Sequence, residues 1–129
     1  MTTGMSDLSI TNLYASLGPG RPALSVVAPN TTFYVVVQVQ AGDEAWSQGI
    51  HYNLQVLLQD ITNNYTNVLN KIVQGNLQDP SWKTQSSLFH FSVVSGAVGT
   101  VYQSSVFLTA GFSDPGLSFR VDFPIVVHS

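Results

Sequence analysis

The stretch Thr31-Thr-Phe-Tyr-Val-Val-Val-Gln-Val-Gln-Ala41 decides the fold class. Phe33, Val35, Val37 and Val39 fall on one face of an extended chain, and Tyr34, Val36, Gln38 and Gln40 on the other. A period of two is that of a half-buried strand, and the branched valines favour that state. The pattern recurs to both sides. Leu8 and Ile10 alternate with Ser9 and Thr11 over 7–15, and Ala23 to Val27 reads as a short edge piece. In Ile50 to Ile61, Tyr52, Leu54, Val56 and Leu58 oppose Asn53, Gln55, Leu57 and Gln59. Tyr65 to Val73 is a weaker strand; Ser86 to Val94 and Val101 to Ala110 are clearer. The last strand starts at Leu117, and Pro124, which lacks an N–H, requires an edge or a bulge there. Gly18-Pro19-Gly20, Asn63-Asn64, Asp79-Pro80 and Ser113-Asp114-Pro115-Gly116 mark turns. Gly42 to Gly49, with Trp46, and the segment holding Trp82 read as loops. Seven to eight strands at this spacing predict an all-β, antiparallel two-sheet sandwich, with a small barrel as the alternative. The expected organisation is a flexible N-terminus over 1–6 and a single domain over 7–129.

Composition restricts the partners. Of 129 residues only 9% are charged, with four Lys/Arg against seven Asp/Glu and a net charge of -3. Four scattered cations cannot form the basic patch that nucleic acid requires. Ser, Thr, Asn and Gln number 42 and make up the polar surface instead. Such a surface is met more often in extracellular, cell-surface or particle-forming proteins. No cysteine occurs, which excludes disulfides, thiolate metal sites and a cysteine nucleophile. Met1-Thr-Thr-Gly-Met5 carries neither a basic region nor an apolar run, so no signal peptide is expected. No apolar run is long enough for a membrane helix, so no membrane insertion is expected.

Gly99-Thr100-Val101-Tyr102 resembles the tyrosine corner of immunoglobulin-type sandwiches, in which a Tyr at the start of strand F bonds back across the preceding turn. Phe33 to Val39 would then be strand B. Ser104 stands where antibody-type domains carry the second Cys, Val stands at the first, and Tyr52 or Leu54 replaces the strand C Trp. The chain is similar rather to cysteine-free immunoglobulin-like or fibronectin-type modules, at the level of pattern over about 7–127. That resemblance implies a module that spaces, docks or binds without catalysis.

The remaining chemistry is sparse. His51, His90 and His128 show no metal-ligand spacing, and no cofactor or metal is expected. A facing pair of His51 and His90 would require the two strands to lie in register. The carboxylates nominate no catalytic pair, and no G-x-S-x-G elbow is present. Asn30-Thr31-Thr32 and Asn64-Tyr65-Thr66 match N-x-[ST], as expected by chance in so amide- and hydroxyl-rich a chain. Trp46 and Trp82, with Tyr52, Tyr65 and Asn64, either offer ring faces and amides to a sugar or plug the ends of the sandwich. Tyr34, Val36, Leu57, Ile61 and Val126 fall opposite the core faces, and if their strands adjoin they form an uncharged, partly apolar patch. The strand edges read as short of lysine gatekeepers. The leading expectation is a non-catalytic module that assembles with protein, including itself, through a sheet face or an edge strand. A carbohydrate-binding module comes second, and a small barrel enzyme with a His acid/base third.

Overall fold

The alternation is realised in two sheets. β1 (Leu8–Ser16), β3 (Thr32–Ala41) and β6 (Ser86–Val94) form one, in the order β1-β3-β6. β2 (Val26–Val27), β4 (His51–Asp60), β5 (Thr66–Asn76), β7 (Val101–Ala110) and β8 (Leu117–Val127) form the other, in the order β2-β8-β7-β4-β5. This computed structural model describes residues 8–18, 20–79, 82, 84–110 and 117–127. Residues 1–6, Pro19, Pro80, the Ser113–Gly116 turn and His128 lie outside the described residues. All pairings are antiparallel except the two-residue match of β2 with β8. The architecture is an all-β two-sheet sandwich of eight strands, not a closed barrel: each sheet keeps its own edges.

The core lies between the sheets. Phe33, Val35, Val37 and Val39 of β3 oppose Leu54, Val56 and Leu58 of β4 and Val106 and Leu108 of β7, all at most 1% exposed. Burying each such side chain stabilises the fold by roughly 1.5–3 kcal/mol, so slipping β3 by one residue would forfeit the whole row. The sheets approach where β1 meets β7 and β8 on one side and where β5 meets β6 on the other.

Pro124 pairs with Gln103 on one side, while β2 reaches β8 only at Val126 and Val127, so the proline sits on an edge as the missing donor demands. The expected loop after β3 contains a six-residue helix, α1 (Asp43–Gln48). Six residues give too few turns for a 3.6-residue period to show in sequence. Gly49, at φ 63°, ends it in the left-handed region where glycine carries no Cβ penalty. Gln85 ties the helix down, its Nε2 donating to Asp43 Oδ1 at 2.9 Å.

Tyr102 bonds back across its turn. Its hydroxyl accepts from the Gly96 N–H at 2.8 Å, and its ring lies 6.1 Å from that of Phe33. Ser95 fixes the same end: its Oγ donates to the Ala28 carbonyl at 2.5 Å and accepts from the Thr31 N–H at 2.9 Å. Ser104, on the core-facing row of β7, is fully buried and its Oγ has no hydrogen-bond partner.

Candidate interaction surfaces

The five residues expected to share an apolar patch do not meet. Tyr34 and Val36 lie on the outer face of the three-stranded sheet, and Leu57 and Val126 on the outer face of the other. β7 separates β4 from β8, so even Leu57 and Val126 are not on neighbouring strands. Ile61 belongs to a 3-10 turn (Ile61–Asn63) beyond the end of β4. Period-two alternation tells which residues share a strand face but not which strands adjoin. Val36 is also only 1% exposed, because it sits on the central strand between Tyr14 of β1 and His90 of β6. His90 in turn meets the Tyr34 ring edge-on at 6.5 Å.

That outer face is nonetheless neutral. Asn12 and Tyr14 of β1, Tyr34, Gln38 and Gln40 of β3, and Leu88, His90, Ser92 and Val94 of β6 share it. Leu88 is 50% exposed and Val94 64%; alternation sets Leu88 with His90 and Ser92 opposite Phe89, Phe91 and Val93, but does not show that this face stays uncovered. β6 itself holds no Lys, Arg, Asp, Glu or Pro and pairs with β3 without a register shift. Among the described residues it is bonded to no other strand.

The expected sugar-binding set divides as well. Trp82 is buried, and its Nε1 donates to the Tyr52 hydroxyl at 3.1 Å. Tyr52 is buried too, packed edge-on against Trp82 and Phe89 with ring centroids 5.6 and 6.1 Å away. Half-buried Trp46 adds a fourth ring, 6.5 Å from Trp82. The cluster plugs one end of the sandwich, so Trp82 and Tyr52 offer no ring face to a ligand. The Tyr52 hydroxyl fits because position 75 is glycine: a Cβ there would come within 2.7 Å of it. Asn64 and Tyr65 are exposed at the far end of β4, some ten residues or roughly 33 Å along the strand. The two groups cannot grip one small sugar.

The histidines are likewise apart. His51 opens β4 in one sheet, its Nε2 3.5 Å from Asn76 Nδ2, and His90 is on the outside of the other sheet. Among the described residues no group of three or more His, Cys, Asp or Glu side chains is placed to hold a metal ion.

The outer face of β4, β5 and β7 carries a feature absent from the sequence reading. The amides of Asn53 and Gln59 on β4 face those of Gln74 and Asn67 on β5, and Gln55 reaches Asn70 diagonally. Gln55 Nε2 donates to Asn70 Oδ1 at 3.2 Å, and Gln59 Nε2 to Asn67 Oδ1 at 3.1 Å. Asn53 Oδ1 is buried without a partner. The sequence sets Asn53, Gln55 and Gln59 on one face of their strand, but assigns no face within Tyr65 to Val73, and Gln74 lies beyond that segment. Nor does it give the register that lines the amides up, including a shift between Leu58 and Gln59.

No protein-family model matches the chain, and no curated protein matches it. Solved structures do. The chain is similar to the C-terminal domain of wzt, with 10% identity and a TM-score of 0.58 over 98% of this chain and 76% of that one. It is similar to the CARDB domain of a Pyrococcus furiosus protein solved with di-metal ions, with 16% identity and a TM-score of 0.54 over 98% and 92%. Parabacteroides merdae β-glucuronidase matches at 12% identity and a TM-score of 0.54 over 93% of this chain, which spans only 13% of the enzyme. These likenesses support a β-sandwich domain.

Proposed function

We propose that this chain is a non-catalytic, immunoglobulin-like module that assembles with protein, other copies of itself included, through the outer face and free edge of its three-stranded sheet. The observation that carries the reading is β6: nine residues, uncharged, in unbroken register with β3, with Leu88 and Val94 exposed. An exposed edge presents unpaired N–H and C=O groups, and monomeric proteins normally blunt it with charge, proline or a bulge. The other edges have such devices, and β2 is only two residues long. β5 carries Lys71 and a register shift; β1 has a shift between Ile10 and Asn12, and a bridge from Ala15 to Leu24 covers its end. β6 has none of them.

The immunoglobulin-like assignment is supported by strand order. β1, β3 and β6 correspond to strands A, B and E, and β4, β7 and β8 to C, F and G, with β5 in the place of C′. The Tyr102 bond to Gly96 is the second support. A surface, fibre or particle setting suits such a module.

The test is sedimentation velocity over a range of concentrations, on the native chain and on a Leu88→Lys, Val94→Lys double variant. Oligomers that the two lysines dissolve, with the unfolding midpoint kept, are the expected result. A strict monomer at high concentration removes the reading.

A further inference from the structure

We infer that the outer face of β4 and β5, continued onto β7, is a binding site for a neutral, hydroxyl-rich glycan chain. It lies on the opposite sheet from the β6 edge, so it goes beyond the assembly reading and does not rest on it. Eight of the chain's 17 Asn and Gln residues fall on this one face: three on β4, four on β5 and Gln103 on β7. No Lys, Arg, Asp or Glu stands among the outward positions of these three strands; the charged positions of this face begin on β8, where Arg120 pairs with Phe107 and Asp122 with Ser105, so the neutral ground is the β4–β5 side. An amide presents a donor and an acceptor together, as does a sugar hydroxyl, so the two are matched group for group. A charged face would hold its water more tightly and favour an ionic partner.

The amides are also ordered beforehand. Gln55 is held by Asn70, and Gln59 by Asn67, which reduces the side-chain freedom lost when a ligand binds. An apolar platform lies between the polar groups. Gln55 is flanked on β5 by Ile72, 59% exposed, and sugar C–H faces pack on such surfaces. Outward residues of one strand recur about every 6.6 Å, so the rows form a long, flat track, which suits an extended polymer better than a monosaccharide.

The test is affinity electrophoresis of the native chain in gels containing soluble galactomannan, mixed-linkage β-glucan or arabinoxylan, with polygalacturonate as the anionic control, followed by a neutral-glycan array. Retardation by at least one neutral polymer and none by polygalacturonate is expected. A Gln55→Ala, Asn70→Ala variant should weaken retardation by about tenfold, as expected for losing roughly 1.4 kcal/mol of hydrogen bonding. Ile72→Glu, at an exposed position, should do the same without touching the core. Trp46→Ala should leave retardation unchanged. Absence of binding across both gels and array overturns the site. So does binding that survives the variants, or variants that change only the oligomeric state, which would assign the face to protein. A monomer that binds glycan would overturn the assembly reading and leave this one standing.

Discussion

Ser104 holds a hydroxyl in the core with nothing to bond, at the position where the resemblance places a cysteine. Burying such a group costs about 1–3 kcal/mol that no partner offsets. Ser104→Ala should therefore raise stability by about 1 kcal/mol, read as a higher urea midpoint at unchanged slope. A lower midpoint would mean that the hydroxyl is satisfied in solution. Asn64 and Tyr65 are the second residue-scale case. Both have positive φ, 54° and 58°, at the start of the turn into β5. Asparagine tolerates that region, whereas a tyrosine there costs about 1–2 kcal/mol. Tyr65→Gly removes this strain and loses part of the gain to backbone entropy, so the unfolding free energy should rise by about 0.5–1 kcal/mol, read as a higher thermal midpoint. The sequence shows why Asn64 suits a turn, but positive φ at a tyrosine has no sequence signature.

Among the elements, β5 and β6 are edges of contrasting design. On β5, Leu69 and Val73 turn toward the core, while Lys71 between them is exposed on the same side. A lysine on the core-side row of an edge strand repels an incoming strand, because pairing would strip its water. Lys71→Thr should leave stability within about 0.5 kcal/mol and increase light scattering on concentration. Unchanged scattering would show that the bulge alone protects this edge. Much of the elements was legible in advance. β3, β6 and β7 emerge from alternation to within a residue, because each turns one apolar row toward the core, although Val36 and Ser105 on the outer rows are buried as well and Phe89 and Phe91 only partly so. α1 was not, since its six residues leave no period to detect. Trp82 could not be placed either: its burial depends on the Tyr52 hydroxyl and on Gly75, from strands far apart in sequence. Both candidate surfaces were written in the outward rows of single strands, but they required the strand order to become surfaces.

For the whole molecule, low charge sets the response to solvent. A net charge of -3 on 129 residues gives little long-range repulsion, and the β6 face contributes no ion pair to screen. Association through that face should thus persist between about 0.05 and 1 M sodium chloride, whereas a contact built on exposed charges weakens as the Debye length falls from about 14 to 3 Å. Dissociation on adding salt, followed by sedimentation, would place the contact elsewhere. The two sheets also differ in how firmly their outermost members are held. β5 is bonded along one flank by β4 alone, and of its core-side row only Leu69 is buried, at 7% exposure. The sandwich therefore has a loose leaf and a tight spine. Amide protons of β5 should trade with deuterium earlier than those of β4, and whatever settles on the hairpin will feel a margin that breathes while the layers behind it stay shut.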